Sequence, residues 1–225
     1  LQAALILISK AESAVIKPGL KSHLTDSECF AFYQALQRDS ILNLQLLKQK
    51  YQQLELFLNL EPQQSNSKFT DFKADGFTLL SAVDKTRGEL YYQLAEQVFR
   101  KIQHPLILAA ADYPFLDSEV LLETAAALKE RDLVIGPTSC ANCYLLALNK
   151  PEDFLLSLTA RNSISFLKKV LQTAAEFNLK SHFLPEQPEI NTFKEFLYLR
   201  GRLLKSAELA QKLPNTLKFM QNILC

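Results

Sequence analysis

The sequence contains no tryptophan, one methionine and only five glycines in 225 residues. Neither the phosphate-cradling GxxxxGK[ST] pattern nor GxGxxG occurs, which argues against an ordinary P-loop NTPase and a Rossmann dehydrogenase. Four cysteines, at positions 29, 140, 143 and 225, are too sparse for the disulfide framework of a small secreted domain. A reduced, cytoplasmic protein is expected. Charge of one sign is also missing: 25 Lys and Arg face 24 Asp and Glu. Without a net field, neither nucleic acid nor an anionic membrane is expected as partner. The apolar run nearest the start, Ala3–Ile8, falls far short of the ~20 residues of a membrane-spanning helix and precedes no small-residue cleavage site. It reads as a buried strand. Three histidines, at 23, 104 and 182, are scattered, and no catalytic triad can be inferred from their spacing.

Enough apolar sequence is present, 48% of residues, to build one good-sized core. Strand-length apolar runs recur at Ala3–Ser9, Leu54–Leu58, Phe77–Leu80, Pro105–Ala110, Asp132–Gly136 and Cys143–Asn149, with a weaker one at His182–Leu184. Helical patterns alternate with them. Glu89–Ile102 carries Leu90, Leu94, Val98 and Ile102 on one face, and Asp117–Glu130 and Ser163–Asn178 are similar. The alternation predicts a single-domain α/β fold with a mostly parallel sheet flanked by helices. Glu61–Asp75 and Leu184–Glu189 read as loose connections. From Thr192 onward the pattern is of added C-terminal helices rather than another βα unit.

The segment HPLILAAADYPFLDSE is the most informative. An apolar strand runs directly into Asp112, and ligands of parallel α/β sheets gather beyond the carboxyl ends of strands. A carboxylate there is a hard oxygen ligand suited to Mg²⁺ beside nucleotide phosphates. The competing reading is that Asp112 caps the following turn or helix. For Lys10 and Lys17 the competing reading is ordinary solvated lysine. Cys140-Ala-Asn-Cys143 is a lone CxxC entering a strand, without the second pair a zinc site needs or the helix start a redox dithiol uses, so both thiols are expected to be structural.

Around Asp112, a small residue, Asp, any residue, Pro and then an acidic helix start resembles the SDxP or ADxP motif of two related families. One is the bacterial glycosyltransferase-like family whose N-terminus reads roughly AKAPxPGxVKTRL. The other is 2-phospholactate guanylyltransferase. The likeness extends from Ala3 to Phe196: LILISKAESAVIK matches the first strand and lysine-bearing loop, FYQALQRD the LYRxFLxD-like helix and RGELYYQLAEQVF the GDLGERMAxAF segment. RDLVIGPTSCANCYLLAL is similar to HDVVLGPxxDGGYYLIGL, RNSISFLKKVLQTAAEFNL fits the late helix, and EINTFKEF stands where DVDTPEDL would. The gapless run from Gly136 to Leu148 is closer to the first family, and Ser165-Phe166 to a GSF motif of the second.

The resemblance implies the nucleotide-diphospho-sugar transferase fold over residues 1–196, with 197–225 as a helical extension packed on it. It implies a Mg²⁺-dependent nucleotidyl- or glycosyltransferase acting on a nucleotide such as GTP, or on a nucleotide sugar, and a small-molecule acceptor. Asp112 and Lys17 would be catalytic, Asp112 as a metal ligand; Lys10 and Lys17 would meet the phosphates, Gly88 would lie in a turn near the nucleotide, and Asn191 would stand at the second metal-ligand position. Three departures fall on the chemistry: Gly19 replaces an arginine, Cys140-Ala141-Asn142 replaces DGG, and Asn191 replaces an aspartate. An amide oxygen lacks carboxylate charge and binds a hard cation more weakly. The alternative is therefore a pseudoenzyme that keeps the fold and serves as a binding or regulatory module.

Overall fold

The computed structural model describes residues 1–9, 17–59, 75–82, 86–158 and 165–223. Seven strands form one sheet: β1 (Ala3–Ile8), β2 (Leu54–Asn59), β3 (Phe77–Leu80), β4 (Leu106–Ala110), β5 (Leu133–Pro137), β6 (Cys143–Leu148) and β7 (Ser181–Phe183). Each lies within two residues of its predicted run. Their order is β3-β2-β1-β4-β6-β5-β7. All neighbouring pairs are parallel except the two involving β6, which runs antiparallel between β4 and β5. The short turn Thr138–Asn142 forces this reversal, since a parallel return needs a crossover of a dozen or more residues.

The described helices are α1 (Pro18–Lys21), α2 (Asp26–Lys50), α3 (Arg87–Phe99), α4 (Ser118–Ala127), α5 (Asp153–Leu156), α6 (Phe166–Glu176), α7 (Phe193–Lys205), α8 (Ala207–Lys212) and α9 (Pro214–Ile223). Alternation along the strands sends side chains to both faces. Leu5 and Leu7 of β1 pack with Ile41 and Leu44 of α2 and Leu121 of α4 on one face. Ala4 and Ile6 pack with Leu94 and Val98 of α3 and Val170 of α6 on the other. Both faces of β1 are buried, which is why its sequence is a continuous apolar run rather than an alternating one.

A third cluster unites the N-terminal half of α2 with the C-terminal helices: Phe32 and Leu36 meet Phe196, Leu199, Leu213 and Met220. Helix α7 runs unbroken through position 196. Helix starts are set by local chemistry. Thr25 with Glu28 and Thr192 with Glu195 form capping boxes, and Asp117 accepts from the Glu119 and Val120 N–H groups at the start of α4. Among the described residues, no helix is long and apolar enough to cross a membrane.

Candidate functional site

In the strand order, the chain leaves β1 in one direction through β2 and β3, then returns to place β4 on the other side of β1. The crevice beyond the carboxyl ends of β1 and β4 is therefore the topological switch point, where doubly wound sheets bind ligands. Lys17, after β1, and Asp112, after β4, both line the cavity there, which has a volume of ≈ 440 Å³. Lys17 Nζ donates to the Ile190 carbonyl at 2.9 Å and stands 3.9 Å from Asp112 Oδ2 and 3.6 Å from Glu189 Oε1. Only the first of these is a hydrogen-bond length, so the ammonium is anchored by a carbonyl and shared loosely between two carboxylates. Their side chains are 21%, 9% and 16% exposed for Lys17, Asp112 and Glu189, which leaves all three open to the cavity.

Asp112 is the third residue of a turn closed by the Tyr113 N–H to the Ala110 carbonyl at 3.2 Å. It is Asp117, not Asp112, whose side chain caps the following helix. Glu189 was not singled out from the sequence because it lies in the segment read as loose. A signal existed: where EINT stands for DVDT, Glu189 occupies the place of the first acid. Thr138 Oγ1 donates to Glu189 Oε2 at 2.8 Å and Asn142 Nδ2 at 3.2 Å, fixing that oxygen and leaving Oε1 toward Lys17.

Asn191 stands apart from the cavity wall, which ends at Glu189 and Ile190. Its N–H donates to Glu195 Oε2 at 2.7 Å, at the start of α7. Its carbonyl lies against Gly19, where a Cβ would come within 2.6 Å. That contact explains the first departure: no side chain, arginine included, fits at position 19 while α1 rests on the Asn191–Thr192 backbone. Lys10 lies outside the described residues.

Gly88 is in the first turn of α3 and faces helix α5, where a Cβ would meet the Leu155 carbonyl oxygen at 2.4 Å. The glycine permits close helix packing, and its neighbour Arg87 lines the cavity instead, with its guanidinium 4.3 Å from the Phe166 ring centroid. Gly88→Ala is expected to cost about 1–3 kcal/mol through forced movement of backbone, read as a lowered midpoint in urea. An unchanged midpoint would overturn the packing role.

Ala141 adopts φ 56, the left-handed conformation, at the position where the resembled motif carries glycine. An alanine there costs roughly 1–2 kcal/mol, held by the Ala141 N–H to Thr138 carbonyl bond and by the Leu167 N–H donating to the Ala141 carbonyl, both 3.0 Å. The turn's shape is thus kept without its usual residue. Just beyond it, Tyr144 stacks on Tyr113 with centroids 4.5 Å apart and ring planes 18° apart. Burial pushes both phenols well above their ordinary range, so they are neutral at physiological pH.

Burial also pushes the Cys143 thiol up to about 12, partly offset by Arg87, whereas Cys140 is exposed. Thiolate is the reactive form. At pH 8 a maleimide is expected to modify Cys140 of the folded protein and leave Cys143 unmodified until denaturant is added, as peptide mass mapping would show.

A divalent cation is the group that the sequence resemblance implies. Among the described residues no set of three or more His, Cys, Asp and Glu side chains gathers to form an all-protein metal cage. Mg²⁺ does not require one: it keeps several waters and is commonly held by one or two carboxylates plus substrate phosphates. Asp112 and Glu189, converging on one cavity, fit that donor set.

A family described as "uncharacterized protein conserved in bacteria (DUF2064)" matches residues 44–160, just over half of the sequence. The chain belongs to DUF2064. The match includes β4, the turn after it that bears Asp112, and the Thr138–Asn142 turn. No curated protein matches this DUF2064 chain in sequence. Its fold is that of the nucleotide-diphospho-sugar transferases. A crystal structure from Desulfovibrio desulfuricans G20, assigned as a nucleotide-diphospho-sugar transferase, is similar with a TM-score of 0.79 at 15% identity, covering 99% of this chain and 95% of that one. The 4-diphosphocytidyl-2C-methyl-D-erythritol synthase of Anaerococcus prevotii DSM 20548 is similar with a TM-score of 0.58 at 11% identity over 90% and 96% of the two chains. Rv0371c of Mycobacterium tuberculosis H37Rv, in a complex with manganese, gives 0.52 at 13% identity over 92% and 100%. At these identities the likeness shows the fold alone, and for this chain that fold is nucleotidyl- or glycosyltransferase-like.

Proposed function

We propose that the protein is a Mg²⁺-dependent nucleotidyl- or glycosyltransferase whose cavity takes the phosphates of a nucleoside triphosphate such as GTP, or of a nucleotide sugar. The observation that carries this reading is the convergence of Lys17, Asp112 and Glu189 at the switch-point crevice of a transferase-like fold. Asp112 and Glu189 would hold the metal, which would supply positive charge against the departing phosphates: pyrophosphate where a small-molecule acceptor bonds to phosphorus as the P–O bond to it breaks, or a nucleoside diphosphate where the acceptor bonds to the sugar carbon as the C–O bond breaks. Lys17 supplies a point charge for the same phosphates. The manganese complex of Rv0371c supports a divalent cation in a fold of this kind.

The test is a melting curve with and without GTP, CTP and UDP-sugars in Mg²⁺. Ligand at about 100 times its dissociation constant stabilises by ~2.7 kcal/mol, a rise of about 5–10 °C for a chain of this size. No rise with any member of the panel would overturn the proposal.

A second reading, a nucleotide-binding module without turnover, is favoured by the position of Lys17. Its ammonium already stands between the two carboxylates, compensating their charge without a metal. The two readings separate in a product assay with mixed nucleotides, since the module binds nucleotide yet forms no product.

A further inference from the structure

We propose that Ser40 and Asn43 of α2 are positioning residues for Asp112, a role that rests on the reading of Asp112 as a metal ligand. The turn carrying Asp112 is held at its ends by strand contacts: the Ala111 N–H donates to the Ile8 carbonyl at 3.0 Å, and the Tyr113 N–H to the Ala110 carbonyl at 3.2 Å. Those bonds use N–H groups. The carbonyls flanking Asp112 are taken by α2, where Ser40 Oγ donates to the Ala111 carbonyl at 2.9 Å and Asn43 Nδ2 to the Pro114 carbonyl at 3.0 Å. Residues three apart on a helix share a face, so one rigid element grips the turn on both sides of the acid.

The composition of α2 gives this arrangement its weight. Ser40 is 2% exposed, beside Ile41 and close to Leu44, on a face that packs against an apolar sheet. A buried serine in a helix interior favours the helix less than an alanine and must find a partner for its hydroxyl. It has a local one, the Leu36 carbonyl at 3.1 Å, but it has a single proton to share between that carbonyl and Ala111. Asn43 is equally committed: its second donated bond goes to the Lys212 carbonyl at the end of α8, 3.1 Å away. The same helix face therefore joins the Asp112 turn to the C-terminal helices. A metal ligand must be held to within about 0.5 Å of its working place, and a four-residue turn bearing one acid does not achieve that alone.

The test uses Ser40→Ala, Asn43→Ala and the conservative Ser40→Thr, whose hydroxyl can still donate. Affinity for Mn²⁺ alone is measured by calorimetry, and amide hydrogen exchange is followed at Ala111 and Tyr113. Loss of a supporting partner typically weakens metal binding about 10–100-fold. Each alanine variant is expected to fall in that range, with faster exchange at those two amides and unchanged exchange in β6, and Ser40→Thr is expected to restore the affinity. Asn43 is only partly buried, so Asn43→Ala remains a folded test even if Ser40→Ala does not fold. Mn²⁺ affinity within twofold of the original in Asn43→Ala, or unchanged exchange at Ala111 and Tyr113, would overturn the proposal. If the unmodified protein binds no Mn²⁺ alone, the same comparison is made with saturating GTP or UDP-sugar, whose phosphates complete the site; if none binds then either, the metal-ligand reading itself fails, and exchange alone decides the clamp: faster exchange upholds it and unchanged exchange rejects it.

Discussion

Asp112→Asn is expected to remove the metal-dependent part of nucleotide binding while leaving the fold intact. The substitution is nearly isosteric and keeps an oxygen toward the cavity, but it removes the charge that makes a carboxylate a good ligand for a hard cation. Supporting partners of metal ligands are worth about 10–100-fold in affinity, so loss of the ligand's own charge should cost about 100-fold or more. The melting temperature without ligand should stay within a degree or two, because the side chain faces a cavity and is 9% exposed rather than sealed in the core. Nucleotide binding without metal should persist, since Lys17 keeps its anchor on the Ile190 carbonyl. A variant that still shows the full Mg²⁺-dependent rise in melting temperature would rule out Asp112 as a ligand. Glu189→Gln offers a parallel measurement, and equal losses from both variants would mark the two acids as partners.

The other large effect is expected away from the cavity. Asp39 is fully buried in α2, and its two oxygens accept four hydrogen bonds from the start of α9. Oδ1 takes the Asn215 N–H at 3.0 Å and the Asn215 side-chain amide at 2.7 Å, and Oδ2 takes the Thr216 N–H at 2.9 Å and its hydroxyl at 2.6 Å. The first N–H groups of a helix have no partner within it, and the partial positive charge there favours an anion. An acid from a distant part of the chain thus caps the last helix. Asp39→Ala strands these donors in a buried place and is expected to cost about 3–5 kcal/mol, a fall in melting temperature on the order of 10 °C. Asp39→Asn, with one accepting oxygen, should lose less. A fall under about 1 kcal/mol for Asp39→Ala would show that water or repacking replaces the carboxylate.

Asp39 also shows how far the sequence could be followed. It matches the acid that closes the LYRxFLxD-like pattern, yet nothing in that pattern says what the acid touches. Its partners lie more than 170 positions away, and only the packing of α9 on α2 brings them together. Glu189 is similar. Its neighbours Pro185 and Pro188 mark a loose connection correctly, and the segment is indeed irregular, but the bonds from Thr138 and Asn142 place its carboxylate opposite Lys17.

By contrast, the seven strands, the helical faces and the position of Asp112 at the end of β4 were legible along the chain, because each depends on residues adjacent in sequence. A strand buried on both faces must be continuously apolar, and a helix packed on a sheet must repeat its apolar residues every three or four positions. Those constraints are local and leave a periodic trace. The reversed direction of β6 could be anticipated only from the brevity of the turn before it. Which acids face each other, why glycine stands at positions 19 and 88, and how α2 holds the Asp112 turn were decided by the tertiary structure. Such contacts depend on distances between segments that the sheet order brings together, and short-range side-chain contacts of that kind impose no period on the sequence.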